Sequence, residues 1–195
     1  MEVVTSTNQK RIYIEGNIAS GKSTFLSYCS NNSHFKVLPE TIEKWQNYEG
    51  TNYLELMYQN PKENTFQFQI IAQNTMFERE NSSCNNAPIL LLERSIYSEY
   101  YVFILQSYAS GYLTLDQTNY LASRAHELLN KLPKPDLFIY FRVDPEICYE
   151  RLKSRSRNEE NGVTLEYLKL LHNYHENVYI INIYFQHQLN LLMHV

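Results

Sequence analysis

Apolar residues along the chain fall into short dense runs separated by longer stretches in which they recur every three or four positions. That rhythm predicts strands joined by helices. Residues 11–16 (RIYIEG), 35–40 (FKVLPE), 87–95 (APILLLERS), 136–143 (DLFIYFRV) and 178–185 (VYIINIYF) read as five strands. The third is apolar almost throughout, as a parallel strand covered on both faces must be. Residues 21–32, 51–61, 65–82, 97–109, 115–132, 144–155 and 164–179 read as helices. The stretch 65–82 holds no proline or glycine and spaces Phe68, Ile71 and Thr75 at helical intervals, so it is expected to be helical despite its β-branched residues. Asn60-Pro61 is expected to close the helix before it, and Asp144-Pro145 and Thr164 mark helix starts. Strands alternating with helices of this length define an α/β fold, a doubly wound five-stranded parallel sheet flanked by helices, with sites beyond the C-terminal ends of the strands. No repeat, low-complexity segment or linker interrupts the pattern, and residues 1–195 are expected to form a single domain.

Composition narrows the class. The 195 residues are 44% hydrophobic and 19% charged, ordinary values for a soluble globular chain. A formal net charge of -4 argues against nonspecific nucleic-acid binding. Cys29, Cys84 and Cys148 form no CxxC pair and read as reduced thiols, not as a metal site. No apolar run is long enough to span a membrane, and the N-terminal residues resemble neither a signal nor a transit peptide, so a cytoplasmic location is expected.

The first strand ends in Gly16-Asn17-Ile18-Ala19-Ser20-Gly21-Lys22-Ser23-Thr24, which contains the whole Walker A pattern between a strand and a helix. The glycines let backbone N–H groups curve around phosphate oxygens. Lys22 can reach the terminal phosphates of ATP, and the Ser23 hydroxyl suits Mg²⁺. This defines a P-loop NTPase-like nucleotide site without naming the phosphate acceptor. A guanine-reading NKxD signature and a DxxG segment are both absent, which disfavours a GTPase switch. A second large domain for hydrolysis to move is not expected within these residues, which favours a small-substrate kinase over a motor.

Glu40 follows the second strand, and Glu93-Arg94 follows the third, so all three fall on the rim that carries the phosphate turn. Glu40 is the candidate to accept an alcohol proton, Glu93 to support Mg²⁺, and Arg94 to orient Glu40 or steady charge on the acceptor oxygen. The run RLKSRSRNEE places Arg151 and Arg155 on one helical face and Lys153 and Arg157 on another. These arginines are expected to form a lid over ATP. Glu159 and Glu160 immediately after them weaken a nucleic-acid reading.

Taken in order, GNIASGKS, PETIEKW, LELMYQNP, TFQFQ, LLLERSIYSE and RLKSRSRNEE followed by LEYLKLLHNYHE resemble the deoxynucleoside kinase family, over about 11–178. The resemblance implies transfer of the ATP γ-phosphate to the 5'-hydroxyl of a deoxynucleoside in nucleotide salvage, with Mg²⁺, in a homodimer subject to feedback inhibition by a deoxynucleoside triphosphate. It implies that Glu40 is the general base and Arg94 its partner, and that Glu93 lies near magnesium. Tyr58 and Glu160 would hold the sugar 3'-hydroxyl, and Gln69 would pair with the base edge. Trp45, Phe68 and Phe103 would line the base pocket, and Arg151, Arg155 and Arg157 would belong to the lid. A glutamine amide offers one donor and one acceptor, which suits thymine or cytosine.

Two departures bear on the base. Tyr100 stands where family members commonly carry arginine, and Glu99 before it resembles the acidic residue of the deoxycytidine and purine kinases. Met76 stands where those kinases carry the arginine that pairs with it, and instead resembles the thymidine-accepting pattern, leaving room for the thymine methyl. The mixed pocket points to thymidine and deoxycytidine first, and leaves purines and a broad specificity open. A lone Glu99 facing an apolar wall is costly without a donor, so it is expected either to point away or to hydrogen-bond a base amine. The competing readings are a thymidylate-type nucleoside monophosphate kinase, which needs further cations on the acceptor side, and a nucleotide-binding protein that has lost catalysis.

Overall fold

The computed structural model of the chain describes residues 9–81 and 87–182. Four strands among these residues form one parallel sheet: β1 (Lys10–Gly16), β2 (Phe35–Leu38), β3 (Ile89–Glu93) and β4 (Leu137–Phe141), in the order β2-β3-β1-β4. The chain leaves β1 towards β2 on one side and leaves β3 towards β4 on the other. The carboxyl ends of β1 and β3 therefore flank the point where the winding reverses, which in such sheets opens a crevice. In the register there, Ile14 is the partner of Glu93.

Alternation along the strands sets the two faces of the sheet. Ile14 and Leu91 pack with Leu26 and Cys29 of α1 (Lys22–Cys29). Tyr13, Leu90 and Leu92 cluster with Leu38 and Phe138. A separate apolar cluster joins Trp45 of α2 (Ile42–Gln46), Leu54 of α3 (Tyr53–Gln59), Phe68, Ile71, Ala72 and Met76 of α4 (Pro61–Asn81), and Ala125 and Leu128 of α7 (Leu115–Lys131). Each large side chain buried in this way contributes about 1.5–3 kcal/mol.

The helix before Asn60-Pro61 closes there, as expected, and Pro61 also opens the next one. α3 ends at Asn60, and Pro61 begins α4, where its missing N–H falls among donors that lack intrahelical partners anyway. The Asn60 carbonyl accepts from the N–H groups of Glu63 and Asn64. At Thr114 a reciprocal pair of hydrogen bonds with Gln117 caps α7, and at Thr164 the side chain accepts from the Tyr167 N–H, capping α9 (Leu165–Glu176). Asp144 makes no such side-chain bond before α8 (Pro145–Arg155).

The helix expected over 97–109 is α5 (Ile96–Ser98), a π-helical turn (Glu99–Ile104) and α6 (Leu105–Ala109). A larger difference concerns the fifth strand. Residues 178–182 are not extended, because Asn177–Asn182 continues α9 as a π-helical turn; 183–185 lie outside the described residues. A short apolar run does not by its pattern distinguish strand from buried helix. Here the helical path stacks Tyr179 against Tyr140 of β4 at 5.4 Å between ring centroids. Cys29 and Cys148 are buried free thiols, and Cys84 lies outside the described residues. No helix among the described residues is long and apolar enough to cross a membrane.

Candidate active site

Beyond β1 the chain turns sharply at Gly16, whose φ of +143° lies outside the range that side chains favour. A Cβ at this position would sit 2.7 Å from the Phe141 carbonyl oxygen, so only glycine lets β1 and β4 approach here. Asn17 is buried: its amide donates to the Leu168 carbonyl, and its side-chain oxygen accepts from the Ile18 N–H. That ties the turn to α9. Lys22, at the start of α1, donates to the carbonyls of Gly16 at 3.2 Å and Asn17 at 2.9 Å. Burial, reinforced by Arg94, pushes its ammonium down to about 8 against the pull of Glu40, Glu93 and Glu15.

Next to it, the Ser23 hydroxyl donates to Glu93 Oε1 at 2.7 Å, which brings two hard oxygen ligands together beside the phosphate turn. That donor set fits Mg²⁺, which typically takes one or two protein oxygens together with phosphate oxygens and water. Among the described residues no cluster of three or more His, Cys, Asp or Glu competes as a metal site.

Arg94 organises the rim. Its Nε lies 2.7 Å from Glu40 Oε1, its Nη1 donates to the Gly16 carbonyl at 3.0 Å, and its guanidinium stands 4.8 Å from the Phe103 ring centre. Burial opposes its charge, but Glu40, Glu15 and Glu93 outweigh burial and raise its pKa. Its backbone has φ +59°, a strained conformation for a non-glycine residue.

A cavity of about 960 Å³ runs from the phosphate turn to the helical core and is lined by residues 18–24, Glu40, Glu93 and Arg94 at one end. Trp45, Tyr58, Phe68, Gln69, Met76, Glu99 and Phe103 line it further in, and Arg151, Arg155, Arg157 and Glu160 flank it. Every site residue expected from the sequence therefore meets in one space, except Gly16 and Asn17, which underlie the turn. Trp45 is held by an indole N–H bond of 2.8 Å to Thr75 Oγ1 and an edge contact with Phe68. Glu99, nearly inaccessible, accepts from the Gln73 amide at 3.2 Å, which supplies the donor its burial requires. Burial still drives its carboxyl well above the usual carboxylate range. Tyr100 does not line this cavity; it packs against Tyr101 and His126.

The arginine-rich segment differs from the expected pair of helical faces. α8 stops at Arg155 because Ser156 takes a left-handed conformation, and a 3₁₀ turn (Asn158–Gly162) follows. The reversal removes Arg157 from the helix and turns it back to Glu160, whose oxygens accept from Arg155 Nη2 at 2.6 Å and Arg157 Nη1 at 2.8 Å. Lys153 points elsewhere, over the Tyr149 ring. Glu159 accepts from Gln46 and Asn52, pinning the turn to the α2–α3 region.

Two residues went unmarked in the sequence. Tyr167 of α9 lines the cavity beside Tyr58. Arg79 of α4 donates to the carbonyls of Pro39, Glu93 and Arg94 at 3.0, 2.8 and 3.1 Å, clamping together the two strand ends that present Glu40 and Arg94. No spacing rule marks it, since its partners are backbone carbonyls far away in sequence.

A parallel sheet with a Walker turn at its winding reversal, and a deep pocket opening from it, defines the P-loop class of nucleotide-binding α/β proteins. Within that class the chain belongs to the deoxynucleoside kinase family, whose model it matches over residues 12–189. It is 40% identical over 167 residues to thymidine kinase 2, mitochondrial, of Macaca fascicularis, a match covering 85% of this chain and 62% of that protein. It is 36% identical over 169 residues to the probable deoxycytidine kinase FPV151 of Fowlpox virus (strain NVSL), covering 86% and 70%. To the deoxycytidine kinase of Mus musculus it is 34% identical over 198 residues, covering 88% and 75%. The matched region thus spans a little under two thirds of the length of the mitochondrial thymidine kinase.

Proposed function

We propose that the chain transfers the γ-phosphate of ATP to the 5'-hydroxyl of a deoxynucleoside, with thymidine and deoxycytidine preferred, in nucleotide salvage. The observation that carries this reading is the single cavity that joins Lys22 and Ser23 to the Glu40–Arg94 pair and then to Gln69. Phosphoryl transfer needs a donor phosphate and an acceptor oxygen held in line, and a base beside the acceptor. Backbone N–H groups of 17–23 and Lys22 hold the donor phosphates, and Arg151, Arg155 and Arg157 close over them. Ser23 and Glu93 hold Mg²⁺, which when bound neutralises charge on the phosphate oxygens. Glu40, oriented by Arg94, takes the 5'-hydroxyl proton. Tyr58 and Glu160 hold the sugar 3'-hydroxyl, and Gln69 offers its donor and acceptor to the base edge between Trp45, Phe68 and Phe103. Met76 leaves space for the thymine methyl, and Glu99, held by Gln73, faces the same pocket.

A thymidylate-type kinase is disfavoured because it needs further cations on the acceptor side, whereas the inner cavity offers Tyr58, Gln69 and Glu99. Catalytic loss is disfavoured by intact Lys22, Ser23, Glu40 and Arg94 in mutual contact or close by. The test supplies ATP, Mg²⁺ and each deoxynucleoside or dTMP, and identifies the phosphorylated product. Thymidine or deoxycytidine monophosphate is expected. Turnover of dTMP with thymidine ignored refutes the proposal.

A further inference from the structure

Glu15 precedes the phosphate turn and is completely buried. Its Oε1 accepts from Ser95 Oγ at 2.5 Å. Ser95 follows the strained Arg94 and caps α5, its hydroxyl also accepting from the Ser98 N–H at 3.1 Å. One hydroxyl therefore links the end of β1 to the turn that carries Arg94. The next residue, Gly16, makes a second link through its carbonyl, which accepts from both Arg94 Nη1 and Lys22 Nζ. The two-residue step Glu15-Gly16 thus holds the arginine at its backbone side and at its guanidinium.

We propose that Glu15 is a positioning residue for phosphoryl transfer: through Ser95 Oγ it fixes the Arg94 turn against the phosphate turn, so that Arg94 reaches Glu40 and the Gly16 carbonyl together. The inference rests on the kinase reading above for its catalytic consequence, but the tie itself does not.

A carboxylate is a poor choice for packing alone at this place. Burial pushes the Glu15 carboxyl up to about 7, although Ser95, Arg94, Ser98 and Lys22 all favour its charged form. Among the described residues, Tyr179, from the turn after α9, also faces it. Residues kept in an environment that disfavours their charge concentrate where the charge serves a function. Here the anion lies close to the two buried cations that meet at Gly16.

The test uses the full chain with Glu15→Gln, which keeps shape and a carbonyl acceptor, together with Glu15→Ala and Ser95→Ala. Glu15→Ala and Ser95→Ala are each expected to lower kcat by about tenfold or more, with KM for ATP and nucleoside within about threefold of the unsubstituted chain. Glu15→Gln, which still accepts from Ser95 Oγ, should keep kcat within about threefold. The Glu15→Ala/Ser95→Ala pair should lose no more than about threefold beyond the worse single change, because both break one tie. Hydrogen exchange over residues 93–99 reads the tie without catalysis, and Glu15→Ala should speed it about tenfold. Unchanged kcat in Glu15→Ala or Ser95→Ala, multiplicative losses in the pair, or unchanged exchange over 93–99 in Glu15→Ala would each overturn the proposal. If the unsubstituted chain phosphorylates no nucleoside, the kinase reading falls, and the exchange experiment still decides the tie.

Discussion

Replacing Glu40 by glutamine tests the chemistry at the acceptor end most directly. The amide oxygen can keep the contact that Glu40 Oε1 makes with Arg94 Nε at 2.7 Å, so the rim should hold its shape. What the variant loses is the capacity to take a proton, since the second carboxylate oxygen becomes an NH₂ donor. General-base catalysis contributes about 10²–10⁴ in rate, or about 2.7–5.4 kcal/mol of barrier at 1.36 kcal/mol per decade. Loss of the negative charge beside Arg94 weakens a charge-assisted bond, for which about 1–2 kcal/mol of folding stability is a fair magnitude. Binding can be read separately, because Trp45 is the one tryptophan in the sequence and lines the inner cavity. Thymidine titrated into each protein should quench or shift this single emitter, giving Kd without turnover. The expected result is a kcat at least about 100-fold lower, with Kd within about threefold of the unsubstituted chain. An unchanged kcat, or a loss matched by an equal loss of binding, removes Glu40 from the base role.

The buried His175 ring gives a prediction about stability. Its Nδ1 donates to the Leu171 carbonyl at 2.7 Å, and burial pushes its pKa down to about 3. The unfolded chain then binds the extra proton first, so stability present above about pH 6.5 is lost at about 1.4 kcal/mol per unit as pH falls below about 6. Urea titrations should find that extra slope abolished in His175→Phe; an equal slope in both proteins contradicts it. Thr75→Val leaves the indole N–H of Trp45 without its 2.8 Å acceptor and should cost about 1–3 kcal/mol, read by the same titration. Arg79→Met strips three carbonyls of a charged donor; about 3 kcal/mol or more of stability and a fall in kcat are expected, and loss of neither would show the clamp to be idle. Gln69→Leu removes the cavity amide proposed to meet the base edge and should raise thymidine Kd by about 10- to 100-fold, judged by Trp45 fluorescence, while leaving ATP affinity unaltered.

The parts legible in the sequence are those whose chemistry is encoded locally. A phosphate turn needs Gly16 and Gly21 a fixed distance apart between a strand and a helix. A strand-end carboxylate such as Glu40 or Glu93 stands next to an apolar run that announces the strand. Those local signals are enough to locate the rim. Features decided by tertiary competition were not legible. The run at 178–182 has strand-like composition, yet a helical path gives Tyr179 two aromatic neighbours on β4, Phe138 and Tyr140. The arginines at 155 and 157 were expected on separate helical faces, and a single left-handed residue, Ser156, instead turns both onto Glu160. Glu99 could be recognised as a costly charge, but its donor Gln73 lies 26 positions away on another helix, outside any local window. Arg79 is the limiting case, because the three groups to which it donates hydrogen bonds are backbone carbonyls, and backbone carbonyls have no sequence signature. Such a clamp exists only once β2, β3 and α4 have converged, although the placement of Glu40 and Arg94 depends on it.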